Sequence, residues 1–91
     1  MRAADAKRFE DMPNIGKAVA RDFARLGLHA PKDLAGKDAK KLYDKMCRLS
    51  GTRQDPCVLD TYMAAIDFMG GAKAKPWWAY TAARKRDFPD L

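Results

Sequence analysis

Phe9-Glu10-Asp11-Met12-Pro13-Asn14-Ile15-Gly16-Lys17-Ala18-Val19-Ala20-Arg21-Asp22-Phe23 carries two helical patterns that meet across a four-residue break. Pro13 ends the first pattern, because a proline cannot continue a helix and pushes the residue before it out of the helical region. Asn14 is the non-glycine residue best able to take a left-handed backbone, and Gly16 accepts a conformation or close approach that a Cβ would obstruct. Ile15 between them can turn inward and pin the loop. From Lys17 to Leu26 the apolar residues Val19, Phe23 and Leu26 recur at helical spacing, so the turn delivers a helix start. That start presents unpaired N–H groups and a partial positive charge, which suit an anion such as phosphate. Lys17, Arg21 and Arg25 then climb one helix face as an all-positive stripe, with Asp22 on a neighbouring face.

Outward from this hairpin the chain alternates helical pattern with Gly/Pro punctuation. A short helix over Ala3–Met12 precedes it, with Phe9 and Met12 inward. Gly27 closes the second helix as a left-handed C′ residue. Leu28–Leu34 reads as a connector with one helical turn, closed by Gly36. Asp38–Leu49 follows, with Ala39, Leu42, Tyr43, Met46 and Leu49 inward; Ser50–Gln54 is a second turn. Asp55-Pro56 is a helix start, aspartate as N-cap and proline at N1. The helix it opens turns Leu59, Tyr62, Ile66 and Met69 inward and stops at Gly70-Gly71. No segment alternates with period two, so no strand is assigned. The expected fold is all-α, a single compact domain of about four to five helices. Two helix–turn–helix units, around Asn14–Gly16 and Ser50–Thr52, would pack about a pseudo-twofold. Residues 1–71 form the domain, and residues 72–91 form an aromatic and basic tail packed back on it.

With 47% hydrophobic and 33% charged residues in 91, the composition is that of one globular domain. No apolar run reaches the roughly 20 residues of a membrane span, and the N-terminus lacks a signal-peptide core, so cytoplasmic residence is expected. A net charge of +6 favours polyanion partners, and eleven of the eighteen basic side chains lie in residues 1–45, around the hairpin. Two cysteines, Cys47 and Cys57, and one histidine, His29, leave no zinc set, so no metal ligands are assigned. Both thiols are expected free. Cys57 sits where a helix start lowers a thiol pKa, but it lacks a partner base. No nucleophile–base pair, carboxylate pair or nucleotide loop appears, so no enzyme activity is expected.

The binding residues read from the first hairpin are Asn14, Ile15, Gly16, Lys17, Arg21 and Arg25, and the expected partner is nucleic acid, duplex DNA foremost. A plain helix–helix turn is the competing reading. Gly51, Thr52 and Arg53 form a weaker second hairpin, because Asp55 already supplies the anion that helix start wants. Trp77 and Trp78, with Tyr80 and flanking cations, are candidates for base stacking or for contact with a protein partner or a second copy. Adjacent tryptophans cannot face the same way. At least one is expected to be shielded, and Arg84-Lys85-Arg86 reads as a solvated charge run.

The stretch around Pro13-Asn14-Ile15-Gly16 resembles the helix-hairpin-helix motif, which usually reads Pro-Gly-Ile-Gly; Asn14 stands where the first glycine commonly is. That resemblance implies a tandem, SAM-like helix-hairpin-helix architecture. It also implies phosphate held by backbone amides without base reading, in that motif often beside a monovalent cation at the hairpin; no other cofactor is expected. Pro13–Lys17, Leu26–His29, Arg53–Asp60 and Lys75–Trp78, in this order over roughly residues 9–82, are together similar to a small bacterial pathogenicity-locus family. Its members are often labelled mitomycin resistance proteins. This likeness implies a link to DNA and transfers no activity.

Overall fold

Two aspartates start the two longest helices. Asp38 accepts the N–H of Lys41 at 3.1 Å and opens a helix over Ala39–Ser50 (α2 below). Asp55 accepts the N–H of Cys57 at 2.9 Å ahead of Pro56, and opens a helix over Pro56–Met69 (α3). A shorter helix precedes them over Lys17–Arg25 (α1), and another follows over Thr81–Asp87 (α4). This computed structural model describes residues 2–91; Met1, with which the first expected unit begins, lies outside them. The described residues form four α-helices with no strand, so the all-α reading holds.

Glycines end α1 and α3 by the same device. Gly27, at φ 86°, donates to the Ala24 carbonyl at 3.0 Å, while Leu28 donates to Phe23 at 3.0 Å. Gly71, at φ 104°, donates to Phe68, and Ala72 to Asp67. Each pair is the double bond of a Schellman motif, which requires the left-handed residue glycine supplies.

The segment before the hairpin is not the helix expected over Ala3–Met12. It forms two 3-10 turns, Ala3–Asp5 and Phe9–Asp11, separated by extended backbone at Ala6 and Arg8. The cause is local: Asp11 Oδ2 accepts the N–H groups of Lys7 at 3.1 Å and Arg8 at 2.9 Å, an arrangement that competes with helix. Asp33 does the same at the same spacing, taking His29 at 2.9 Å and Ala30 at 3.0 Å ahead of the turn Pro31–Leu34. Phe9 and Met12 are nevertheless buried. The first hairpin therefore has a 3-10 limb where the second has a full helix, and the two units are unlike in build.

α3 is the centre of the molecule. It packs on α2, on α4, on a 3-10 turn over Trp77–Tyr80, and on the turns Pro31–Leu34 and Ala3–Asp5. A helix covered on several sides is apolar around most of its circumference, and Leu59, Tyr62, Ala64, Ala65 and Phe68 are all buried. Phe68 escaped the sequence stripe for that reason. Ile66 and Met69 are half-buried against the core. Phe9, Phe23 and Tyr62 form an aromatic chain, with centroids 5.1 and 5.4 Å apart, that ties the hairpin to α3.

Leu49, expected inward, is 47% exposed. It lies about 120° around α2 from Tyr43, at 100° per residue. Ser50, almost directly below Tyr43, takes the inward place and donates to the Met46 carbonyl at 2.9 Å.

Asp11, Asp33 and Asp55 are all held below the carboxylate reference of 3.8, chiefly because each accepts backbone N–H groups: Arg8 then Lys7, His29 then Ala30, and Cys57. A carboxylate lowered on folding stabilises the protein above its unfolded value, and that contribution disappears as the pH falls through the folded one. The melting temperature is therefore expected to hold from pH 7 to about pH 5 and to drop below about pH 4. Asp33→Asn should flatten that acid limb. Thermal melts by circular dichroism that are unchanged down to pH 3 would contradict the caps.

Candidate functional site

The hairpin is fixed by the chain on both sides of it. Ile15 is buried and its N–H donates to the Met12 carbonyl at 3.3 Å, so it anchors the loop from within and offers no free amide. Asn14, at φ 71°, is the one non-glycine residue with positive φ among the described residues. Its side chain turns to the tail: Nδ2 donates to the Lys75 carbonyl at 2.7 Å, and Oδ1 accepts the N–H of Trp77 at 3.2 Å. Both halves of its amide are thus engaged within the chain. Asn14 thereby shapes the hairpin, while these two bonds use one amide hydrogen and one oxygen lone pair of the two of each that it carries. No local pattern around Asn14 signals this clamp, whose partners lie 61 and 63 residues away.

Gly16 differs from the expectation in an informative way. Its backbone, φ −98° and ψ −172°, is extended, and a Cβ built on it would meet nothing within 4 Å. Neither strain nor internal crowding requires glycine here. The residue is exposed and forms the N-cap of α1, where no side chain caps the helix. The helix starts of α2 and α3 carry aspartate caps.

Lys17, Arg21 and Arg25 are all exposed, and none has an ion pair among the described residues. Lys17 and Arg21 border an open groove of about 560 Å³ shared with Phe9, Glu10, Leu28 and His29. Glu10 lines the same groove and sets a negative charge against those of Lys17 and Arg21.

The second hairpin places Gly51 at φ 72°, with Thr52 and Arg53 exposed. Its helix start is closed by Asp55, and the loop is braced from inside: the Tyr43 hydroxyl donates to the Gln54 carbonyl, and Gln54 Nε2 donates to Ser50 Oγ at 2.8 Å. The two hairpins thus differ at their helix starts: α1 has no side-chain cap, and α3 is capped by Asp55.

The tail turns back across α3. Asp60, fully buried, accepts Arg84 Nε at 2.9 Å, Arg84 Nη2 at 3.4 Å and Thr81 Oγ1 at 2.7 Å. Arg84 is 8% exposed and is no part of a solvated run; only Lys85 and Arg86 fit that reading. The neighbouring Asp60 hydrogen bond pushes the Arg84 guanidinium above its usual value. Sequence reasoning missed this pair, because nothing in a basic run says which member finds a carboxylate 24 residues earlier. Trp77 is half-buried and Trp78 is 63% exposed, their rings edge-to-face with centroids 5.6 Å apart.

Both cysteines are free. Burial pushes the Cys57 thiol up, and the Asp55 carboxylate beside it pushes it further, against the lowering expected from its helix-start position. Among the described residues no group of three or more His, Cys, Asp or Glu side chains could hold a metal ion. No helix is long and apolar enough to cross a membrane.

The architecture is that of a small all-helical domain in which α1 starts without a side-chain cap and carries three cations at helical spacing, and a tail is latched to the central helix. The chain belongs to the pathogenicity locus family, whose model matches residues 2–86. It is similar to the mitomycin resistance protein McrB of Streptomyces lavendulae, with 42% identity over 86 residues that cover 94% of this chain and 82% of that protein. No solved structure matches it.

Proposed function

We propose that the chain is a nucleic-acid-gripping module that binds duplex DNA through its phosphates, without reading sequence, at the Gly16–Lys17 start of α1. The observation that carries this is the combination at one helix end. Gly16 is exposed and serves no internal need for glycine, the helix start has no side-chain cap, and Lys17, Arg21 and Arg25 continue from it unpaired. A phosphate oxygen approaching the first-turn N–H groups meets no Cβ there, and the stripe supplies charge for its neighbours along the backbone. Contacts of this kind fix position on a duplex and carry no sequence information. The role is binding and not catalysis. Kinship with a mitomycin resistance protein makes survival on mitomycin a cellular readout in which to look for that role.

The test is fluorescence anisotropy of a labelled duplex titrated with the full chain over a series of salt concentrations, for the wild type and Gly16→Ala. Binding should weaken steeply with salt and be indifferent to sequence. Gly16→Ala has room in the fold and should melt within about 1 kcal/mol of the wild type, yet bind more weakly. Absence of binding at low salt, or an affinity unmoved by salt, would overturn the reading.

A further inference from the structure

We infer that Trp78 is a stacking platform for an unpaired base beside the phosphate grip, so that the preferred ligand is DNA in which a single-stranded segment adjoins a duplex. The inference deepens the phosphate-gripping reading and rests on it. Trp78 and Leu49 are the two large hydrophobic side chains left exposed among the described residues, and Trp78 is the more exposed of them, at 63%. It stands on an ordered element, a 3-10 turn that follows Pro76 and packs closely on α3. The Trp77 ring meets it edge-to-face at 85°, which supports the indole while leaving it open to solvent.

The Asn14 clamp sets where this platform stands. Through Lys75 O and Trp77 N it fastens the residues on either side of Pro76 to the left-handed corner of the hairpin, two residues before Gly16. The aromatic turn is thereby tied to the residue two positions before the uncapped start of α1. Lys73 and Lys75, both exposed, precede the tryptophans and add positive charge along the same segment. Cations that track a backbone beside an aromatic face suit single-stranded nucleic acid, because every base has a π-face to offer. The stacked interior of a duplex offers none, so Trp78 finds its partner only where pairing stops. Charge argues against a second copy, since another chain of net charge +6 would bring no complementarity to this cationic segment, whereas nucleic acid brings both negative charge and a π-face.

The experiment compares the full chain on a blunt duplex and on the same duplex with a short single-stranded extension, using the wild type, Trp78→Ala and Trp78→Phe. The wild type should prefer the extended duplex by about fivefold to a hundredfold, the range for one stacked base. Trp78→Ala should lose that preference and bind the blunt duplex as the wild type does, while Trp78→Phe should keep much of it. Tryptophan fluorescence of the wild type should be quenched by the extended duplex more than by the blunt one. Equal affinity for the two DNAs, or a preference that survives Trp78→Ala, overturns the inference and leaves the phosphate grip standing. No binding to either DNA removes the grip itself. A concentration-dependent dimer that Trp78→Ala dissolves would assign the indole to a second copy instead.

Discussion

Asp60→Ala is expected to remove about half or more of the stability of this protein. Asp60 is fully buried and accepts three hydrogen bonds, two from Arg84 and one from Thr81. Removing the carboxylate leaves the buried guanidinium of Arg84 without its hydrogen-bonded counter-charge, with only the Asp55 carboxylate acting on it from the start of α3. Breaking a buried pair on one side costs about 3–5 kcal/mol, against a total stability of roughly 5–10 kcal/mol for a domain of this size. The loss is not confined to α4, because the Trp77–Tyr80 turn and α4 together cover one side of α3. Urea denaturation followed by circular dichroism measures it: the midpoint should fall to less than half its wild-type value. Arg84→Ala alone should be similarly severe. Replacing both together, Asp60→Leu with Arg84→Met, should recover most of the loss, since a well-packed apolar pair can match a buried ion pair. A midpoint for Asp60→Ala within about 1 kcal/mol of the wild type would mean that the pair is dispensable and the tail is held by its aromatics.

How much of this was legible in the chain follows the range of the interactions. Asp55-Pro56 marked the start of α3, and Gly27 and Gly70-Gly71 marked the ends of α1 and α3, because caps and Schellman turns act within a few residues. The stretch over Ala3–Met12 misled for the opposite reason. Its apolar spacing suits a helix, but Asp11 takes the amides that a helix would have used. Arg84 could not be told from Lys85 and Arg86, nor could Asn14 be seen as a clamp, because each choice is made by a partner far along the chain. The break at Pro13–Gly16 and the helix after it were visible, as were Lys17, Arg21 and Arg25 at helical spacing along that helix. That Gly16 is not needed by the fold itself required coordinates. The segments that carry the family likeness also find their meaning in these long-range contacts. Pro13–Lys17 meets Lys75–Trp78 through Asn14, while Asp55–Asp60 caps α3 at one end and holds the tail at the other.

Substituting Lys17, Arg21 and Arg25 together by alanine is expected to remove most of the affinity for duplex DNA while leaving the fold intact. All three side chains are exposed and without ion pairs among the described residues, so little stability depends on them, and alanine is the better helix former. Each phosphate they neutralise releases counterions and contributes about 0.9 to the slope of log affinity against log salt. Three contacts therefore account for a slope of about 2.7, or roughly a fortyfold weakening between about 50 and 200 mM salt. At about 0.1 M salt they represent roughly two to three powers of ten in affinity. A matched triple, Lys32, Lys37 and Lys41 to alanine, changes net charge by the same amount at exposed positions outside α1. If the stripe on α1 is the grip, the first triple should flatten the salt dependence and the second should leave it nearly unchanged. Equal losses from both would mean that overall charge draws the DNA and no particular face holds it. A steep slope surviving in the first triple would place the phosphate contacts elsewhere on the molecule.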